Sequence, residues 1–188
     1  MPELLSEINN DLVAEQEDIR VADQVTVQEA CIEDRRVIWE WWNDPTTRKM
    51  MKKNDTVGWE EHCAWFEGVL KDQDRVLCVG RVGDQGIGNV RFDRQADGVY
   101  EVSINLKPEF RGMGYGAWVL KESIHYLIKV QDAALLFSML KKENIPSKRT
   151  FEKAGFVFIE NPQYDYEGCK EFEPETELFC ELNMKGSP

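Results

Sequence analysis

Basic residues are in deficit in this chain of 188 residues, with 23 Lys and Arg against 35 Asp and Glu and a formal net charge of −12. That balance argues against nonspecific nucleic-acid binding, which requires Lys and Arg clustered on an outer face to neutralise phosphates. Long apolar runs are missing too, so no segment is suited to span a bilayer and no membrane association is expected. The start, MPELLSEINNDLVAEQEDIR, lacks the basic residues and apolar stretch of a secretory signal. A cytoplasmic protein is the expectation. Histidine occurs only twice, and the five cysteines (Cys31, Cys63, Cys78, Cys169, Cys180) form no CxxC pair. Without ligands at zinc spacing, reduced thiols and no metal are expected.

Repeats, low-complexity tracts and a Pro/Gly/Ser-rich linker are also lacking, and the length suits one domain with a buried core. Residues 24 to 188 are read as that domain. Residues 1 to 23 are read as an N-terminal extension, partly helical. The acid is unevenly spread: residues 160 to 181 hold eight carboxylates against Lys170, which accounts for −7 of the −12. Elsewhere the chain is nearly balanced, and local basic patches can matter.

VTVQEA alternates like a strand, and CIEDRRVIWEWWND reads as a helix that NDP stops, because the residue before a proline is pushed out of helical geometry. VGWEEHCAWFEGVLKD is a second helix, with Trp59, Cys63, Phe66 and Leu70 at helical spacing. RVLCVGRVGDQGIGNVRFDRQADGVYEVSINLKP reads as three strands joined at GDQG and RQADG. GYGAWVLKESIHYLIKV is a helix, AALLFSML a strand and SKRTFEKAG a short helix ending in glycine. FVFIENPQY through ELFCELNM closes the chain as a strand pair. The order implies an α/β fold whose mixed, partly antiparallel sheet is flanked by helices.

Between the third of those strands and the long helix lies NLKPEFRGMGYGAWVLKE. Strand, glycines, then helix is the arrangement in which unpaired backbone N–H groups and the positive helix end converge on an anion. A dinucleotide fingerprint would need this loop on the first strand of a βαβ unit, with an acid on the next strand. Here several antiparallel strands precede it, and AALLFSML ends without an acid. A Walker loop is excluded because no GK[ST] follows.

RGMGYG resembles the Arg/Gln-x-x-Gly-x-Gly/Ala pyrophosphate loop of the GCN5-related N-acetyltransferases (GNAT). Downstream, NIPSKRTFEKAGF resembles that superfamily's Asn-x-x-Ser…Tyr-Glu-Lys-x-Gly-Phe segment, and the element order agrees from about residue 24 onward. The resemblance implies acetyl-CoA as co-substrate. Its pyrophosphate would lie on the backbone of Arg111, Gly112, Met113, Gly114, Tyr115 and Gly116, and its pantetheine along the VSINL strand edge, where Leu106 makes backbone contacts. Asn144, Ser147 and Phe151 of the downstream segment would complete the coenzyme site, although Ser147 also suits a helix N-cap.

Acetyl transfer from a thioester needs an amine held against the acetyl carbon and an oxyanion stabilised, with no metal or nucleophilic triad. Glu101, in YEVSINL, is the candidate base that would deprotonate the amine; the alternative is an outward-facing strand carboxylate. Phe151 stands where superfamily members often carry a tyrosine acid. The thiolate must then take its proton from water or another residue, or leave unassisted.

The acceptor region, WEWWNDPTTRKMMKKNDTVGWEEHCAWFEGVL, resembles the pseudaminic-acid-pathway enzymes that N-acetylate a nucleotide-linked amino sugar. That likeness implies substrate-binding roles for Asn43, Arg48, Met51, His62 and Trp65. Arg48, Lys49, Lys52 and Lys53 would welcome a nucleotide diphosphate. The expected partner is therefore a small-molecule amine, acetylated by direct attack in a ternary complex, and a homodimer is compatible with this reading. Protein N-termini, aminoglycosides and polyamines are the alternative acceptors, and a non-catalytic acyl-CoA-binding domain is the alternative class.

Overall fold

The computed structural model describes residues 25–52, 54–160, 162 and 172–184. The extension read at residues 1 to 23, together with Lys53 and much of the acidic 160–181 stretch, lies outside the described residues.

The chain enters through β1 (Val25–Glu29) and a 3-10 turn (Ile32–Asp34), followed by α1 (Arg35–Trp42), α2 (Pro45–Met50) and α3 (Trp59–Val69). An antiparallel meander follows: β2 (Arg75–Val82), β3 (Gln85–Ala96) and β4 (Val99–Leu106). Its two connections, Gly83–Asp84 and Asp97–Gly98, are each two residues long, the length that suits tight hairpins. A second 3-10 turn (Pro108–Phe110) leads to α4 (Tyr115–Val130), and β5 (Leu135–Lys141), α5 (Ile145–Lys153), β6 (Val157–Ile159) and β7 (Glu177–Asn183) complete the order. Among the described residues seven strands form one sheet, β1-β2-β3-β4-β5-β7-β6, in which only β4 and β5 run parallel. The crossover between them is α4.

Two helical layers cover the sheet. On one face Val119, Leu120, Ile124 and Leu127 recur along α4 at helical spacing and pack on Val90, Phe92, Tyr100 and Val102. On the other, Ile38 and Trp41 of α1 and Phe66 and Val69 of α3 pack on Leu77 and Val79. Strand alternation sorts β4 accordingly: Tyr100, Val102, Ile104 and Leu106 belong to the α4 core, while Glu101, Ser103 and Asn105 face the layer of α1–α3.

Three local expectations are corrected. Pro45 does more than stop α1: Asp44 caps a further helix, its side chain accepting from the Thr47 amide with the proline at the first helical turn. The buried face of α3 is His62, Phe66 and Val69, not the stripe through Trp59 and Cys63. Finally, α5 begins at Ile145, and its cap is Asn144, whose Oδ1 accepts from the Ser147 amide, so Ser147 is not the N-cap.

Candidate active site

Strands β4 and β5 pair only at their first residues, Val99 with Leu135, Tyr100 with Leu136 and Glu101 with Phe137. Beyond that point β4 stays with β3 as far as Leu106, and β5 stays with β7 as far as Lys141. The sheet therefore splits between Val102–Leu106 and Ser138–Lys141, leaving the facing backbone edges without strand partners in each other. Both helices that follow these strands, α4 and α5, begin at the wide end of the split. Glu101 sits at its closed end.

The loop read as an anion cradle lies at the mouth of the split. Gly112 and Gly114 both take left-handed conformations, φ +74° and +84°, which side-chain-bearing residues rarely adopt. A Cβ at Gly112 would meet nothing within 4 Å, so the backbone turn, not crowding, demands glycine there. Gly114 is the N-cap of α4, and no side chain caps it. As the N-cap it offers no side-chain acceptor to the first turn of this 16-residue helix, where backbone amides and the positive helix end suit an anion. Gly116 is required for a different reason. A Cβ there would lie 3.1 Å from Thr150 Oγ1 and 3.3 Å from Leu106 Cδ1, so its bareness lets α4 approach α5. Met113 projects into solvent, and Tyr115 packs edge-on against Phe110.

The Arg111 side chain does not hang over this loop. Nε donates to the Leu106 carbonyl (3.0 Å), Nη1 meets Asp44 Oδ1 (2.6 Å) and Nη2 donates to Thr47 Oγ1 (2.8 Å). Thr47 in turn donates to Asn105 Oδ1 (3.0 Å) on β4. Burial alone would raise the Asp44 pKa, but its hydrogen bonds from Arg111 and Thr47 outweigh that and hold it below the ordinary carboxylate value. Asp44, Thr47 and Asn105 were not among the residues singled out from sequence. Asp-Pro with a threonine three residues after the aspartate was the available signal, an N-cap followed by Pro at the first turn.

The acceptor-side residues are brought to one layer but do different things. Asn43 clamps the loop between α2 and α3, donating to the Val57 carbonyl (3.0 Å) and accepting from the Val57 amide (2.8 Å); Trp39 Nε1 donates to the same carbonyl (2.8 Å). His62 is buried, its Nε2 donates to the Arg35 carbonyl (2.9 Å), and rings of Trp59, Trp65 and Phe66 surround it. Burial pushes its pKa down, so the imidazole is neutral. His62 is a core residue in this geometry, with no face offered to an acceptor. Trp65 stacks at a tilt on Trp42 (5.2 Å), and the Arg91 guanidinium lies 5.7 Å from both rings.

The basic cluster is largely spent on internal contacts. Arg48 is only 8% exposed, and Lys52 pairs with the buried Glu177 carboxylate (3.2 Å). Lys49 is exposed, and its carbonyl accepts from Lys141 Nζ (2.9 Å), which ties the end of α2 to the end of β5. Met51, at the C-terminus of α2, is half-buried. Close to this point a cavity of about 530 Å³ is lined by Lys52, Lys141, Lys142, Glu143, Glu173, Thr176 and Glu177.

On the coenzyme side, Phe151 is 1% exposed, its ring edge-on to Phe156 at 4.9 Å within the α4 core. Its ring therefore fills core space and offers no surface to a coenzyme. Glu101 is half-buried, and across the β3–β4 ladder its partner is Asp93, which is held by Arg91 (2.7 Å) and Arg75 (3.3 Å). Among the described residues no group of His, Cys, Asp or Glu side chains is arranged to hold a metal ion. No helix there is long and apolar enough to cross a membrane.

A mixed sheet thus splits between its two parallel strands, with the glycine-capped start of α4 at the mouth. The acetyltransferase (GNAT) domain family model matches residues 24–157, and the chain belongs to that family. It is an N-acetyltransferase. The fold is shared with spermidine N-acetyltransferase from Vibrio cholerae in complex with CoA and spermine. That match has a TM-score of 0.71 at 15% identity and covers 87% of this chain and 97% of that one. It is shared also with yncA, a putative acetyltransferase from Salmonella typhimurium with its cofactor acetyl-CoA (TM-score 0.66, 19% identity, 86% and 94% covered). The aminoglycoside acetyltransferase AAC(6')-Ib in complex with coenzyme A is a further match (0.67, 14%, 86% and 95%). No curated protein matches the chain in sequence.

Proposed function

We propose that the split between β4 and β5 holds acetyl-CoA, and that the protein acetylates the primary amine of an amino sugar, nucleotide-linked, by direct attack in a ternary complex. One observation carries the coenzyme assignment: two left-handed glycines deliver the glycine-capped start of α4 to the mouth of the split. Pyrophosphate oxygens would accept from those amides, and the pantetheine would lie along the β4 edge from Val102 to Leu106, adding amide hydrogen bonds there. Asn144 and Ser147, at the start of α5, border the other side of the split. The solved relatives in complex with CoA or acetyl-CoA support this reading.

In the reaction the amine nitrogen bonds to the thioester carbonyl carbon, the carbon–sulfur bond breaks and coenzyme A leaves as thiolate. Glu101, at the closed end of the split and half-buried, takes the amine proton directly or through water. Phe151 has no proton to give, so the thiolate draws one from water or departs unassisted, which a thiol of ordinary acidity permits.

For the acceptor, the stretch from residue 38 to 70 supports an amino sugar, and Lys142, on the 530 Å³ cavity beside the ion-paired Lys52 and the tethered Lys141, suits its anionic substituent. Glu143, Glu173 and Glu177 in the same cavity favour a second reading, a cationic acceptor such as a polyamine or aminoglycoside. The protein functions without membrane or nucleic acid in this reading, in the cytoplasm, with residues 24 to 188 as one catalytic domain.

Acetyl transfer from isotopically labelled acetyl-CoA to four amines tests these readings: a nucleotide-linked 4-amino sugar, an aminoglycoside, spermine and a peptide with a free N-terminus. Turnover of the sugar is expected. Transfer to another amine but not the sugar overturns the acceptor assignment, and coenzyme binding with no turnover on any amine would favour a non-catalytic acyl-CoA-binding domain.

A further inference from the structure

We propose that Arg111 is a positioning residue that couples the coenzyme loop to the acceptor wall, holding α2 in place when the coenzyme is bound. The inference rests on the coenzyme reading of the loop. It adds a role for the arginine side chain, for Asp44 and for Thr47.

An arginine at the head of an anion-binding loop would be expected to aim its charge at the anion. Here the guanidinium is turned across the site, and its donors reach the Leu106 carbonyl, Asp44 and Thr47. One head group thereby joins the end of β4, the loop and the first turn of α2, with Thr47 and Asp44 lying 64 and 67 residues from Arg111 in sequence. Asp44 Oδ1 serves twice, since it also accepts from the Thr47 amide (3.0 Å) and so caps α2. Thr47 passes the connection back to β4 through Asn105, a residue only 8% exposed. A carboxylate–guanidinium hydrogen bond at this distance, here partly buried, is of the strong and directional kind.

The helix held in this way cannot stand by itself. Six residues are far below the length at which a helix persists in water, so α2 depends on tertiary contacts, among them Arg111 at its first turn and Lys141 at its last. The acceptor-side residues Arg48, Lys49 and Met51 move with it. A coenzyme that fixes the backbone of Arg111 to Gly116 narrows the positions open to the Arg111 side chain and so stabilises the anchored form of α2. By linkage, an ordered α2 strengthens coenzyme binding by the same factor.

Amide hydrogen exchange of residues 45 to 51, with and without coenzyme A, tests the coupling. Coenzyme A is expected to slow exchange across α2 at least fivefold in the wild-type protein, at the lower bound of ordinary coupling factors. In Asp44→Asn the asparagine retains a cap oxygen but not the charge, and that coenzyme-dependent slowing should vanish while coenzyme A still binds, a few-fold more weakly. A role confined to capping would shift exchange equally in the free and bound protein. Equal slowing in wild type and Asp44→Asn overturns the proposal, as does coenzyme A binding to the wild type with no change in α2. Failure of coenzyme A to bind the wild type at all overturns the functional reading and the coupling with it. If Asp44→Asn does not fold, Thr47→Val, which removes the Nη2 acceptor together with the donor to Asn105 and leaves the Arg111–Asp44 pair, is put through the same comparison.

Discussion

Arg111 Nη1 lies 2.6 Å from Asp44 Oδ1, a contact between the glycine loop and the cap of the helix that opens the acceptor region. Because the pair keeps Asp44 below its ordinary value of 3.8, the unfolded chain takes up this proton before the native protein does. Its stabilising contribution is complete above about pH 4 and is lost as pH falls through the lower native value. Thermal melts between pH 5 and pH 3 should show stability declining, and Asp44→Asn should decline less steeply over the same range. Identical slopes for the two proteins would remove this group from the acid limb.

Gly114→Glu should weaken coenzyme A binding by at least a hundredfold, because it forces a side chain onto a residue at φ +84° and sets a carboxylate at the anion site. Gly116→Ala should act differently: its methyl would press on Thr150 and Leu106, costing about 1–3 kcal/mol of stability with a smaller effect on affinity. Calorimetric titration with coenzyme A and thermal melts read the two effects separately. Unchanged affinity in Gly114→Glu would refute the loop assignment.

Glu101→Gln should lower turnover by about 10²-fold or more, within the range of a lost general base, and leave coenzyme A affinity within about twofold. The pH profile of the rate should change in the variant, while protonation of the acceptor amine itself still lowers the rate in acid. A rate and pH profile equal to wild type would leave Glu101 without a role as base.

His62 contributes a dependence of opposite origin to that of an ion pair. Its native form is neutral, since burial lowers its pKa from the ordinary 6.5, and protonation breaks no partner but charges an enclosed ring. Stability from this group is therefore full above about pH 6.5 and declines as pH falls toward the lower native value. His62→Gln, which can still donate to the Arg35 carbonyl, should flatten the melting temperature between pH 7 and pH 5. A variant as pH-sensitive as wild type would exclude His62 as the cause.

Much of the fold was legible along the chain because its signals are local. Alternation across VTVQEA and the three meander strands, helical spacing in GYGAWVLKESIHYLIKV and paired turn residues at the hairpins each depend on neighbours a few positions away. RGMGYG was legible for the same reason, since left-handed glycines before a helix are a property of contiguous backbone. Pro45 was read as a stop and not also as a start, although the cap lay one residue before it.

The side chains that set the site were decided elsewhere. His62, Phe151 and Arg48 carry chemistry that suits a ligand, yet burial puts the first two in the core and encloses the third. Asn43 looked like a substrate contact and proved to be a two-sided clamp on Val57. By itself the sequence determined the order of the strands and of the longer helices, the glycine turn and the absence of a tyrosine at position 151. Only the tertiary structure decided that β4 and β5 part after Glu101 and that Arg111 turns toward Asp44. Strand divergence and ion-pair choice depend on contacts between residues dozens of positions apart, which no local pattern encodes.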